Sequence, residues 1–209
     1  MKFQFAMDLY DIPQALDMLW KIHDRIDIVE IGTPMLLRFG LEAVSKIKRA
    51  YPQKLVLADA KIIDGGEFEA DRCFEAGADV VTVMALANEN TFYGILRSAE
   101  RAGGRILADM MNVPDLERRA EKLLKIGLDY ICVHNAADVL DTERMVSEAE
   151  RVIKAVPAGH LAIAGGINPE TIRRLKQFDP EILVVGNAIV HADNPRTMIE
   201  ELHDAYDLA

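Results

Sequence analysis

Asp59, Lys61 and Asp64 stand in the spacing D-x-K-x-x-D, at the end of the aliphatic run KLVLADAK (54–61). On an extended strand, Asp59 and Lys61 share a face, about 6.6 Å apart along the chain. A carboxylate beside an ammonium could steer a proton or stabilise a negatively charged intermediate. Other apolar runs also end in polar residues. If Phe3, Phe5 and Met7 form one face of the first run, Gln4, Ala6 and Asp8 form the other. By the same alternation Glu30 opposes Val29 and Ile31, Asp109 goes with Leu107, and His134 goes with Cys132. Each residue alone has an ordinary explanation: a turn aspartate, a core histidine, a surface lysine. Together, four carboxylates facing one cavity would repel and raise one another's pKa values unless cations joined them. Lys61 supplies one positive charge, and a divalent ion would supply the rest. Hard oxygen donors with room for water and substrate suit Mg²⁺, with Mn²⁺ as the alternative. Glu30 and Asp59, from adjacent strands, are the expected metal pair.

The elements that must position these residues recur along the chain. Eight β-branched or aliphatic runs occur at 3–9, 27–32, 54–61, 79–84, 105–110, 129–134, 160–166 and 181–186, each suited to a strand buried on both faces. Helical stretches lie between them. Ile12, Leu16, Leu19, Ile22 and Ile26 follow helical spacing, as do Leu41, Val44, Ile47 and Lys48 before Tyr51-Pro52. Asn168-Pro169 and Asn194-Pro195 read as helix starts, and Gly77, Gly103 and Gly127 sit where helices should stop. Eight strand–helix units predict a single-domain (β/α)8 TIM barrel over 1–209. A doubly wound open sheet is disfavoured, because no GxGxxG follows the first strand. In a barrel the polar strand ends converge on the C-terminal mouth. The seventh and eighth strands run into Gly165-Gly166 and Gly186-Asn187, in the two loops where such barrels bind phosphate through backbone amides.

Composition narrows the function classes. Against 24 Lys and Arg stand 34 Asp and Glu, a formal charge of −10. That argues against a nucleic-acid or anionic-membrane partner, while leaving room for one phosphate held by local amides. No apolar run approaches the roughly eighteen residues of a membrane span. Residues 1–25 lack the basic start and apolar stretch of a secretory leader, so a cytoplasmic location is expected. Cys73 and Cys132 form no CxxC pair and read as buried apolar filler.

The D-x-K-x-x-D segment Asp59-Ala60-Lys61-Ile62-Ile63-Asp64 resembles the orotidine-5'-phosphate decarboxylase superfamily of small phosphate-binding barrels. Val29-Glu30-Ile31-Gly32-Thr33-Pro34, Asp109-Met110-Met111-Asn112-Val113 and Ile131-Cys132-Val133-His134 resemble its 3-hexulose-6-phosphate synthase branch, and the likeness runs over essentially the whole chain. The resemblance implies a ribulose-phosphate-binding barrel that acts as a Mg²⁺-dependent homodimeric aldolase. It would join formaldehyde to D-ribulose 5-phosphate through an Mg-stabilised enediolate, giving D-arabino-hex-3-ulose 6-phosphate. It implies Glu30 and Asp59 as metal ligands, Asp8, Lys61, Asp64 and Asp109 as substrate-binding groups, and His134 as the proton carrier. Lys61, Asp59 and Asp64 would join His134 in catalysis, with Asp64 entering the neighbouring subunit's site. Phosphate would lie on Gly165, Gly166, Gly186 and Asn187.

A related branch, 3-keto-L-gulonate-6-phosphate decarboxylase, carries an arginine three residues after its strand-six histidine. Here Ala137 fills that place, which favours the synthase. The decarboxylase also has Gly-Arg where this chain has Gly186-Asn187, so amides rather than a cation are expected to hold the phosphate. A non-catalytic sugar-phosphate sensor is a third alternative, disfavoured by a base and metal carboxylates together. A Schiff base on Lys61 is disfavoured because flanking Asp59 and Asp64 should keep the amine charged.

Overall fold

The computed structural model describes residues 1–8, 11–139 and 141–208. The eight apolar runs form strands β1 (Lys2–Met7), β2 (Ile28–Ile31), β3 (Leu55–Ile62), β4 (Val80–Met84), β5 (Arg105–Asp109), β6 (Tyr130–His134), β7 (Leu161–Ala164) and β8 (Ile182–Val185). Each pairs in parallel with its sequence neighbours, and β8 pairs with β1 to close the barrel. The predicted (β/α)8 architecture is what the chain adopts. The first strand stops at Met7 rather than residue 9, and Leu9 lies outside the described residues.

Ten α-helices surround the sheet: α1 (Ile12–Ile22), α2 (Thr33–Phe39), α3 (Glu42–Ala50), α4 (Gly66–Glu75), α5 (Glu89–Ala102), α6 (Leu116–Lys125), α7 (Thr142–Val152), α8 (Pro169–Leu175), α9 (Asn187–Val190) and α10 (Pro195–Asp207) among the described residues. The expected starts are built as read. Asn168 and Asn194 accept from amides of the first turn, with Pro169 and Pro195 opening their helices. Two segments are broken where one helix would do. Gly40, at φ +61°, separates α2 from α3, and α9 is an extra turn set between β8 and α10. α1 also ends earlier than its apolar spacing extends: Ile26 is buried beyond a 3-10 turn at His23–Arg25.

Strand alternation divides the core in two. The outward side chains pack under the helices around Phe5, Val29, Val81, Ile131 and Leu183. The inward ones form a plug that includes Ile28, Leu57, Val80, Leu107, Tyr130 and Cys132. Two residues further along the same strands, the inward face turns polar: Ile28 gives way to Glu30, Leu57 to Asp59, Val80 to Thr82, Leu107 to Asp109 and Cys132 to His134. The apolar plug thus floors a polar mouth. At the opposite end, three carboxylates brace the starts of paired strands. Asp27, Asp79 and Asp129 each accept a backbone N–H from the preceding strand, from Phe3 (2.9 Å), Val56 (2.7 Å) and Ile106 (2.8 Å).

Candidate active site

A cavity of about 840 Å³ opens at the C-terminal ends of the strands. Asp8, Glu30, Asp59, Lys61, Asp109 and His134 line one side of it. Gly165, Gly166, Gly186 and Asn187 line the other. Every predicted site residue except Asp64 is therefore brought to one mouth. Asp64 is exposed on the loop between β3 and α4 and does not line the cavity of its own chain. A second, more open hollow of about 930 Å³ lies outside the barrel between the β4–α5 and β5–α6 loops. Of its cations, Arg119 binds the Ala85 and Ala87 carbonyls and Lys122 pairs with Glu89, and it contains none of the predicted residues.

The polar cluster is centred on Lys61. Its Nζ donates to Asp59 Oδ2 at 2.5 Å and lies 3.6 Å from Asp109 Oδ2. Asp109 Oδ2 is also 2.7 Å from His134 Nδ1, and its Oδ1 accepts the Met111 amide at 2.9 Å. Burial opposes the charged form of Lys61, but Asp59 and Asp109 outweigh it and hold the ammonium above its ordinary pKa. The amine is therefore protonated, held by Asp59 as expected but by Asp109 in place of the expected Asp64, and that charge disfavours a Schiff-base role. Burial likewise opposes ionisation of Asp109, yet His134, Lys61 and the Met111 amide keep its carboxyl below the usual range.

Glu30 is in the reverse situation. Burial, then the charge of Asp59, pushes its carboxyl up to about 8, against a hydrogen bond donated by Gln4 Nε2 at 2.6 Å. Asp8 is raised for the same two reasons, with Lys61 and His134 opposing. Among the described residues, no group of three or more His, Cys, Asp or Glu is arranged to hold a metal ion. Glu30 and Asp59 alone nevertheless fit a hard divalent cation. They are buried oxygen donors whose mutual repulsion such an ion would relieve, and Mg²⁺ commonly takes one or two carboxylates and fills its remaining sites from substrate and water.

The glycine side of the cavity fits a close backbone approach. Gly165 (φ +93°) and Gly166 (φ +70°) occupy left-handed conformations, and a Cβ on Gly165 would lie 2.0 Å from the Asn135 carbonyl oxygen. Gly186 leads into α9, the short extra helix at the phosphate-binding end of many such barrels. Cys132 also reaches the cavity, but burial pushes its thiol well up, so it acts as an apolar wall.

Polar residues lining the site that the sequence did not single out are Thr33, Thr82, Asn135 and Asp138; Gln4 was read only as sharing a face with Asp8, and Asn168 only as a helix start. Thr33 Oγ1 lies 2.8 Å from the Asp59 carbonyl oxygen and 2.9 Å from Asp59 Oδ2. Thr82 Oγ1 donates to Asp59 Oδ1 at 2.8 Å. The available signal was a single polar residue at an inward position of an otherwise aliphatic strand, as in VVTVM (80–84).

Comparison with known proteins places this geometry in context. A model of the family described as "Orotidine 5'-phosphate decarboxylase / HUMPS family" matches residues 1–202. A relative from Bacillus subtilis named 3-hexulose-6-phosphate synthase is 40% identical over 193 residues, covering 92% of each chain. The crystal structure of 3-hexulose-6-phosphate synthase from Salmonella typhimurium superposes with a TM-score of 0.95 at 37% identity, covering 100% of this chain and 99% of that one. The structure of 3-keto-L-gulonate-6-phosphate decarboxylase from Vibrio cholerae shares the fold, with a TM-score of 0.87 at 24% identity over 99% of this chain and 97% of that one.

Proposed function

The chain belongs to the orotidine 5'-phosphate decarboxylase / HUMPS family, and from that premise we propose that it catalyses the aldol addition of formaldehyde to D-ribulose 5-phosphate, giving D-arabino-hex-3-ulose 6-phosphate, and the reverse cleavage. The observation that carries this reading is the charged Lys61 held between Asp59 and Asp109, with His134 on the same aspartate, in the mouth beside Glu30.

The sugar's phosphate rests on the amides of Gly165, Gly166, Gly186 and Asn187. It takes no part in bond making, and its binding fixes the orientation of the ketose. Asp8 and Asp109 bind substrate hydroxyls. His134 accepts the C1 proton. Its Nδ1 is engaged by Asp109 Oδ2, which leaves Nε2 for the substrate. Lys61 donates to the oxyanion as the enediolate forms, from a position set before the reaction begins. The enediolate carbon then forms a C–C bond to formaldehyde, and the proton held on His134 passes to the new alkoxide. Glu30 and Asp59 would hold Mg²⁺, or Mn²⁺ in its place, which supplies Lewis acidity toward the substrate oxygens when bound. We further propose a cytoplasmic homodimer in which Asp64 completes the neighbouring subunit's site.

Ala137 favours the synthase over the keto-acid decarboxylase, because a cavity wall that could carry a cation carries a methyl group. The test is a pair of assays run with and without chelator: formaldehyde consumption with ribulose 5-phosphate, and carbon dioxide release from 3-keto-L-gulonate 6-phosphate. The expected result is metal-dependent formaldehyde consumption that exceeds decarboxylation. Rapid decarboxylation without formaldehyde consumption would reverse the assignment, and turnover that survives the chelator would remove the metal.

A further inference from the structure

The pairing of β3 with β4 breaks at the catalytic residues. Ala58 is in register with Val81, and Ile62 with Val83, so Asp59, Ala60 and Lys61 all stand opposite Thr82. In that stretch Lys61 adopts φ +47°, a left-handed conformation that a lysine rarely takes unless its surroundings impose it. Thr82 is buried and its hydroxyl spans the irregularity. Oγ1 accepts the Lys61 backbone N–H at 2.8 Å and donates its single proton to Asp59 Oδ1 at 2.8 Å. The direction of this relay is fixed. An oxygen that accepts from an amide and has one proton must give that proton to the carboxylate. One hydroxyl therefore ties the backbone of the ammonium-bearing residue to the carboxylate it pairs with. It stands in for the ladder hydrogen bonds that the bulge removes.

We propose that Thr82 is a positioning residue for the reaction. By holding the left-handed turn at Lys61 against the Asp59 carboxylate, it aims the Lys61 ammonium at the substrate oxyanion. This rests on the function proposed above. Thr82 touches no reacting atom and acts through Lys61 and Asp59. A valine of the same shape keeps the packing and loses both hydrogen bonds, whereas a serine keeps the hydroxyl and loses a methyl group.

The experiment compares Thr82→Val and Thr82→Ser with the wild type in steady-state kinetics, thermal melting and amide hydrogen exchange at Lys61. Wild-type turnover with formaldehyde and ribulose 5-phosphate is the control that tests the proposed function by itself. The valine variant should lose roughly 10- to 100-fold in kcat, with KM for ribulose 5-phosphate within about threefold, because an interaction realised in the transition state is displaced while phosphate binding is not. The Lys61 amide should exchange at least about tenfold faster, because its acceptor is gone. The serine variant should keep kcat within about threefold, even where its melting temperature falls below that of the valine variant. If the valine variant fails to fold, Thr82→Ala against Thr82→Ser carries the same comparison. Equal losses of kcat in the hydroxyl-bearing and hydroxyl-free variants, or a kcat that follows melting temperature alone, would overturn the proposal.

Discussion

Glu30 is a buried carboxyl that burdens the fold and that, in the proposed function, would hold the metal. Its pKa stands near 8 in the folded protein against an ordinary value of 4.5, because burial and then Asp59 disfavour its charge. Between those values the folded state holds a proton that the unfolded chain has released. Ionisation therefore opposes folding, and stability of the metal-free protein should fall as pH climbs from about 4.5 to about 8. Glu30→Gln keeps the shape and an acceptor for Gln4 while removing the charge. In chelator at pH 8 it should melt about 5 °C or more above wild type, and at pH 5 the two should melt alike. Added Mg²⁺ should raise the wild-type melting temperature and leave the variant's unchanged. A variant that gains no stability at pH 8 would mean that Glu30 is already relieved by another partner. The acids, lysine and histidine of this site were legible because each breaks an aliphatic run at its end. The hydroxyls of Thr33 and Thr82 were not, because threonine is ordinary both at a helix start, as at Thr33, and in a strand, as at Thr82, and its hydrogen bonds depend on which neighbour the fold brings opposite.

At the scale of the elements, function and stability occupy opposite ends of the same strands. The C-terminal ends carry buried, like-charged groups. The N-terminal ends carry the repeated brace in which Asp27, Asp79 and Asp129 accept an N–H from the strand before. Asp79 also pairs with Lys48 Nζ at 2.7 Å. Asp79→Ala should therefore cost about 1–2 kcal/mol in urea unfolding, through a lost amide–carboxylate hydrogen bond and a lysine left without its acid, while kcat stays at the wild-type value. A fall in kcat without a fall in stability would contradict this division of labour. Strand existence and facing were readable because a parallel strand buried on both faces is an unbroken apolar run, and because alternation fixes which side chains look inward. The irregularities were less readable. Asp59 and Lys61 do share the mouth, as simple alternation suggests, but they reach it through a bulge and a left-handed lysine that alternation does not contain. The break at Gly40 and the extra turn α9 are likewise set by how the chain must bend to return to the barrel, which short-range spacing does not encode.

At the scale of the whole molecule, a single chain assembles all but one of the expected groups. Asp64 belongs to the D-x-K-x-x-D segment, yet it lies outside its own cavity, beside the exposed apolar side chains of Ile63 and Phe68. In the proposed homodimer, this carboxylate, next to uncovered apolar surface, would serve the neighbouring subunit's site across a two-fold interface. Mixing two inactive variants distinguishes the possibilities. Let Lys61→Ala and Asp64→Ala chains be dissociated, combined in equal amounts and reassociated. Half of the dimers are then mixed. If Asp64 acts across the interface, each mixed dimer has one site with Lys61 from its own chain and Asp64 from the other, and one site lacking both. Activity should recover to about a quarter of wild type, although neither parent is active. If Asp64 serves its own chain, every site in the mixed dimer lacks one group and no activity returns. Turnover measured before and after reassociation, with dimer content followed by light scattering, separates the two outcomes. Recovery near a quarter would make the dimer the catalytic unit, and the absence of recovery in fully dimeric mixtures would return Asp64 to its own chain.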